Sequence, residues 1–515
     1  MRIVLLRPPR YVWPFNSETS AFWQPLGLLC LAGAARRHFP NAAVEVWDAP
    51  AANWGWATLQ RRLATQPIDV LGVGEETVSA HEALRAAAMV RELHPSCAVV
   101  AGGTYFAHTI QETLQTGLID AVVRGEGEIT FVELLKNLGN RAAWDNIPGM
   151  AFMRDGQVVR TPARELIDDL DALPMPAYDL LDMSLYGRGS RNHPDLVSIE
   201  HSRGCTDSCG FCILWKHMGR SVDGNGLVRP CWRTQSPARS YETVQHLHDR
   251  FGRRTFGWVD PTFNASPEWS DAWAELMLAG DLMDARGRPR TLHTAWLRAD
   301  GVVRDEKLGV LDKLVRAGLR QVMIGLERPD ESGLASLGKH NNSLKICREA
   351  FAIFREKYPS VYTIGTVIFG LSGDTRDSLA RLVDCQYRLG MDYCFLIPLT
   401  PNPGTAAAEA ARSGGYIANA DLASYNFHTP VCRTDTLTLR DLESTYWRLM
   451  LRPQPRRLMR SLRTLLTGDK RKRRVHRALL AKGTRIAATS LIRAALHPRD
   501  KHPALHSRRP KWYDS

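Results

Sequence analysis

Short apolar runs recur through the first 140 positions, each followed by a stretch with helical spacing. The runs at 2–6, 44–47, 70–73, 98–101 and 121–123 are dominated by Val, Leu, Ile and Ala. Between and after them, residues 26–37, 56–64, 80–93, 109–114 and 129–138 place apolar side chains at helical intervals. Strands apolar on both faces and separated by helices predict a parallel, doubly wound sheet, with ligands at the C-terminal strand ends. The alternation pauses from Ile147 to about Leu185. There Asp155-Gly156 marks a hairpin turn, and Ile167-Asp-Asp-Leu-Asp-Ala-Leu-Pro reads as a Pro-punctuated linker. It resumes from 196 to about 403, with strands predicted at 197–200, 255–259, 291–296, 321–325, 363–369 and 393–398. Six such steps suit a partial (β/α)6 barrel with its chemistry on the loops after the strands. The chain is thus expected to be α/β, with a sheet domain at 1–140, a hairpin and linker at 141–190, a barrel at 191–405 and a helical, basic region at 406–515.

Composition narrows the class. The chain is 44% hydrophobic, enough for sizeable cores. Its ten cysteines are scattered outside one triplet, as expected of thiols in a reducing compartment. The opening apolar run is too short for a signal peptide, and no run approaches a membrane span, so a cytoplasmic protein is expected. The formal charge of +13 is uneven. Residues 452–515 hold 19 Lys/Arg and 3 Asp/Glu, a balance of +16, which leaves 48 − 51 = −3 for the rest. The basic character belongs to the tail, so nucleic-acid binding by the body is not expected.

Chemistry concentrates at Ser202-Arg203-Gly204-Cys205-Thr206-Asp207-Ser208-Cys209-Gly210-Phe211-Cys212. Thiolates favour iron–sulfur clusters, zinc or copper(I). Three cysteines on a cubane leave one iron open to a substrate, and Gly204 and Gly210 let the loop curl around it. A zinc knuckle remains a second reading, with His201, His217 or Cys231 as the fourth ligand. At the ends of the later strands, Asp260, Arg298, Glu327 and Thr400 are candidates to line the barrel mouth; an Arg298–Glu327 ion pair is the structural alternative. The segment from Ser221 to Arg233, rich in Gly and Asn, reads as a flexible loop over the site.

The cysteine loop, including Phe211 before the last cysteine, resembles that of the radical S-adenosylmethionine (SAM) superfamily. The resemblance implies a [4Fe-4S] cluster on Cys205, Cys209 and Cys212, whose open iron chelates SAM. It further implies one-electron cleavage to a 5′-deoxyadenosyl radical, and SAM contacts from Phe211, Asp260, Arg298, Glu327 and the Gly370-Leu-Ser-Gly turn. The first domain resembles the cobalamin-binding domain of one branch of that superfamily, through Pro25-Leu26-Gly27, Gly102-Gly103 and Arg124-Gly125-Glu126-Gly127-Glu128. This implies cobalamin contacts at Gly27, Gly74, Glu75, Glu76, Thr77, Gly102, Gly103, Arg124, Gly125, Glu126 and Gly127. Asp48-Ala-Pro-Ala-Ala-Asn stands where other cobalamin domains carry Asp-x-His-x-x-Gly, so no histidine ligand to cobalt is implied; residues 74–77 would cover that face. Trp215-Lys216 and the stretch Ser424-Tyr-Asn-Phe-His428 resemble the anaerobic magnesium-protoporphyrin monomethyl ester cyclase family. The implied function is methyl transfer from methylcobalamin to an unactivated carbon of a small molecule, with a flavodoxin or ferredoxin as electron donor. Oxidative ring closure on a tetrapyrrole is the alternative within that family, and a zinc-knuckle nucleic-acid-binding protein is the alternative outside it.

Overall fold

The computed structural model describes residues 1–10, 23–74, 76–187, 195–223, 227–339, 342–451, scattered positions between 459 and 492, and 513–515. Seven strands build the first sheet: β1 (Arg2–Arg7), β2 (Ala43–Asp48), β3 (Val70–Gly74), β4 (Ala98–Gly102), β5 (Ala121–Val123), β6 (Met150–Arg154) and β7 (Gln157–Arg160). Their order is β2-β1-β3-β4-β5-β6-β7. The first five strands are parallel and mostly buried, in keeping with their apolar composition. The Asp155-Gly156 hairpin is not part of a linker. Its strand β6 pairs antiparallel with β5 and extends the sheet.

Six parallel strands in sequence order form the barrel: β8 (Leu196–Ile199), then, after four short strands, β13 (Thr255–Trp258), β14 (Leu292–Leu297), β15 (Leu319–Glu327), β16 (Tyr362–Phe369) and β17 (Tyr393–Pro398). The intervening short strands are β9 (Ser202–Gly204), β10 (Arg220–Ser221), β11 (Val228–Arg229) and β12 (Trp232–Thr234). They correct the expectation of a flexible loop after the cysteines. Strand β10 pairs with β11, and β12 returns to pair antiparallel with β9. The C-terminal end of the insert is therefore laddered onto the strand that leads into the first cysteine; residues 224–226 lie outside the described set.

One face of the first sheet is covered by the helices Trp56–Leu63 and Ala80–Leu93 and has its own core. The other face does not end at a domain boundary. Ile3, Leu5, Leu28 and Leu29 belong to the same apolar cluster as Val197, Ile199 and Phe256 of the barrel. Polar contacts reinforce this shared core: Gln24 accepts from the Ser198 amide (2.7 Å) and donates to the Leu196 carbonyl (3.0 Å). A common core resists hinge motion, because separating the halves would expose apolar surface at about 25 cal/mol per Å².

Candidate active site

The cysteine loop leaves β9 through Gly204, whose φ of +80° suits glycine. A β-carbon there would lie 1.8 Å from the Cys231 carbonyl oxygen. The loop is then fixed at three points: Gly210 donates to the Leu337 carbonyl (2.8 Å) and accepts from Ala407 (3.0 Å), and the Trp215 indole donates to the Cys209 carbonyl (2.9 Å). Cys205 Sγ lies 3.6 Å from Thr262 Oγ1. Burial pushes the Cys209 thiol up to about 12, and it also raises Cys212. Thiols in such surroundings ionise when a soft cation takes them, and their donor chemistry fits an iron–sulfur cluster. Among the described residues no three Cys, His, Asp or Glu side chains close on a single ion. Two of the residues proposed to complete a zinc site are packed among other rings. His201 is fully buried, its ring tilted against Trp269 with centroids 3.9 Å apart, and 2.8 Å from Asp260. His217 packs against His108, with ring centroids 5.9 Å apart.

The structure reassigns most of the polar residues at the strand ends. Asp260 is 1% exposed, and one of its oxygens accepts from the His201 amide (3.0 Å), the Ser202 amide (2.5 Å) and the Ser202 hydroxyl (2.7 Å). It braces the entry to the cysteine loop and does not line a cavity. Arg298 is paired with Asp207 and Asp300 (2.6 Å each) and donates to Thr206 (2.8 Å), so it holds the loop from the side and does not pair with Glu327. Thr400 is buried and donates to the Pro398 carbonyl. Gly370, at φ +83°, donates its amide to Asp374 (2.8 Å), which also pairs with Arg328 (3.0 Å). Phe211 is half-buried in the loop itself.

Glu327 sits where the sequence reading places it, at the barrel mouth, but in an unusual conformation. Its φ is +63°, and the β15–β16 register shifts between Gly325 and Glu327. Such backbone costs on the order of 1–3 kcal/mol and tends to occur at functional sites. The carboxylate meets Lys339 (3.1 Å) and Thr366 (3.3 Å). Lys339 was missed in the sequence, where nothing local distinguishes it. Among the groups around Cys209 it is the foremost one favouring the thiolate.

The first domain offers its C-terminal strand ends to this loop. Gly125 (φ +70°) lies against the His217 carbonyl, and His108, after β4, faces His217. A β-carbon at Gly27 would meet nothing within 4 Å, and at Gly74 and Gly102 only ordinary contacts at 3.5 and 3.7 Å. Protein packing does not demand glycine there; the bare backbone of this glycine shelf leaves side-chain-sized space that a ligand such as a corrin would take. Gly103 needs glycine for its φ of +83°, whereas Gly127 packs on Leu31. Glu76 is exposed and Thr77 buried beside the shelf; Glu75 lies outside the described residues. Two of the candidate contacts are corrected. Arg124 is turned away, its guanidinium on the Thr161 carbonyl. Glu126 has both oxygens committed, one to Arg203 (3.0 Å), the other to Arg233 (2.8 Å) and the Ile167 amide (2.9 Å). Asp48, where a cobalt-ligating signature would begin, is locked to Arg7 and Tyr186.

A doubly wound sheet, a six-stranded partial barrel and a three-cysteine loop between them define a two-cofactor radical enzyme. Sequence comparison agrees. The radical SAM superfamily profile matches residues 199–385, and the B12 binding domain profile matches residues 14–135. The chain carries a radical SAM domain and a B12-binding domain, and cobalamin-dependent radical SAM methyltransferases are among its homologues. An uncharacterized methyltransferase of Pyrococcus horikoshii is 26% identical, covering 88% of this chain and 93% of that one. The anaerobic magnesium-protoporphyrin IX monomethyl ester cyclase of Rubrivivax gelatinosus is 25% identical over 85% and 74%. The fold matches the radical SAM methyltransferase TsrM from Kitasatospora setae, solved with cobalamin and a [4Fe-4S] cluster (TM-score 0.66, 17% identical, 95% and 99% covered). It also matches the cobalamin-dependent radical enzyme OxsB (TM-score 0.66, 15% identical, 97% and 73% covered).

Proposed function

We propose that the protein transfers a methyl group to an unactivated carbon of a small molecule, in the cytoplasm, with electrons from a flavodoxin or ferredoxin. The observation that supports this reading is the approach of the first domain's strand ends to the segment just after the cysteine loop, Gly125 against the His217 carbonyl and His108 against the His217 ring. Cys205, Cys209 and Cys212 would hold the cluster, and Gly27, Gly74, Gly102 and Gly103 would support the corrin. When bound, these groups supply one-electron cleavage of SAM and methyl donation; the chain supplies orientation and exclusion of water. Glu327, with Lys339 beside it, presents charge at the barrel mouth, where the polar end of SAM would lie. Arg298 and Asp260 keep the loop in shape rather than touching ligand. No helix among the described residues is long and apolar enough to cross a membrane, in keeping with a diffusible substrate.

The test is anaerobic turnover of reconstituted protein with methyl-labelled SAM and a small-molecule extract. Label in a product together with 5′-deoxyadenosine supports methylation. 5′-Deoxyadenosine without label supports oxidative ring closure, and the absence of 5′-deoxyadenosine overturns the radical reading.

A further inference from the structure

The turn Arg124–Glu128 follows β5 in the first domain, and Arg203 lies on β9, one residue before the glycine that launches the cysteine loop. The two meet in the interior. The Arg203 guanidinium is 6% exposed and is held by Glu126 (3.0 Å), Glu128 (2.6 Å) and Glu200 (2.8 Å). Glu126 is gripped from behind by Arg233 of β12 (2.8 Å), itself 7% exposed. Arg233 and Arg203 are direct ladder partners. Three carboxylates and two guanidinium groups therefore interlock across the domain boundary, with two of the carboxylates from the cobalamin side.

We propose that Arg203 is a positioning residue that sets the cysteine loop relative to the cobalamin shelf, so that the two cofactor sites are held in one geometry. The geometry explains why the position needs arginine. Only a planar fork of donors reaches Glu126 and Glu128 at once while keeping Glu200. The link to the chemistry is short and stiff: between Arg203 and Cys205 stands only Gly204, which is wedged against Cys231. On the other side Glu126 is followed by Gly127 and Glu128, the first residue of the helix Glu128–Lys136, so the clamp holds the short turn that joins β5 to that helix. A displacement of either carboxylate is thereby passed to the first thiol. A surface ion pair would be screened and loose; here Arg203, Glu126 and Glu128 are all buried, only Glu200 keeping some exposure, and losing one partner strands buried charge.

The inference rests on the two-cofactor reading, and its test separates the two. Arg203→Lys keeps the charge and loses the fork; Glu128→Gln is isosteric and removes one of the three carboxylates. Each is reconstituted anaerobically with iron, sulfide and cobalamin. Two quantities are read: the dipolar broadening of the cob(II)alamin EPR signal by the reduced cluster, and amide exchange at 124–128 and 202–212. The expected result is that both variants bind both cofactors, show a weaker and more heterogeneous broadening, and exchange about tenfold faster in both segments together. Wild-type broadening and wild-type exchange in either cofactor-replete variant would overturn the proposal, as would faster exchange on one side of the boundary only. If Arg203→Lys does not fold, Glu128→Gln decides. If wild-type protein takes up no cobalamin, the two-cofactor reading fails, while coupled exchange in the cluster-loaded protein still tests the clamp.

Discussion

Gly204 has no room for a side chain and no conformational freedom to make any. Its positive φ would cost an alanine roughly 1–2 kcal/mol, and the overlap with the Cys231 carbonyl adds about 1–3 kcal/mol of overpacking. Gly204→Ala is expected to fold with a lowered Tm and to bind less than about a tenth of the wild-type iron; anaerobic iron assay and calorimetry check both. A second residue-scale effect comes from His217. Burial holds its imidazole down at about 4, and His108 beside it at about 3, so both are neutral in the fold and want to charge when it opens. A depressed histidine stabilises fully above its unfolded value near 6.5 and loses that contribution as pH falls through the folded value. Between pH 6.5 and 5 His217 alone should cost about 2 kcal/mol of stability, at about 1.4 per pH unit. Denaturant midpoints of wild type and His217→Gln should converge on acidification, and parallel pH profiles would contradict this. At this scale the sequence was readable where chemistry is local: three thiols, the glycines before and among them, a strand-end glutamate. It misled where a polar residue at a strand end served the backbone instead. Asp260 satisfies two amides 58 and 59 positions away and Glu126 an arginine 77 positions away, and no spacing rule encodes such partners.

At the scale of elements, all eleven parallel strands were legible within a residue or two, because buried parallel strands are apolar on both faces. The widest difference is at β15, which runs from Leu319 to Glu327, two residues longer at each end, and ends in a strained residue that periodicity does not register. The hairpin β6–β7 was visible as a hairpin, but its docking on β5 was not, since edge pairing depends on which sheet is within reach. The C-terminal residues carry a similar long-range contact. The Trp56 amide donates to the Tyr513 carbonyl and the Thr58 amide to Ser515, both 3.1 Å, at the N-terminus of the helix Trp56–Leu63. These are two of the amide donors that a helix start leaves unpaired. Tyr513 is 6% exposed, edge-on to Trp56 and packed into the first domain's core. Removing residues 513–515 should therefore destabilise that domain by about 2–4 kcal/mol, from one lost aromatic side chain and two lost caps. Amide exchange should rise along 56–63 and remain unchanged in β13–β16. Uniform exchange across the chain would show that the three residues do not cap this helix.

For the molecule as a whole, charge and architecture separate cleanly. The body is nearly neutral and holds both proposed cofactor sites, while the tail carries the excess of basic residues. A solvated basic face is the expectation from composition, and Lys470 is exposed in keeping with it. Lys472 departs from it: its ammonium pairs with Asp392 at 2.7 Å, both 11% exposed, and donates to the Pro359 and Val361 carbonyls. Those groups precede β16 and β17, at the N-terminal end of the barrel, where conserved chemistry is not built in this architecture and stability is. This part of the tail therefore braces the barrel from the face opposite the cysteine loop. The two lysines separate charge from anchoring. Lys470→Ala and Lys472→Ala remove the same charge and should weaken retention on an anionic column equally. Only Lys472→Ala strands a buried carboxylate. Asp392 would keep its donors from Thr363, an amide at 2.9 Å and a hydroxyl at 3.1 Å, so the loss should fall below the 3–5 kcal/mol of an unsatisfied buried ion, at about 2–3 kcal/mol. Lys470→Ala should stay within about 0.5 kcal/mol of wild type. Equal stability of the two variants in denaturant would mean that the tail is held by nothing more specific than its charge.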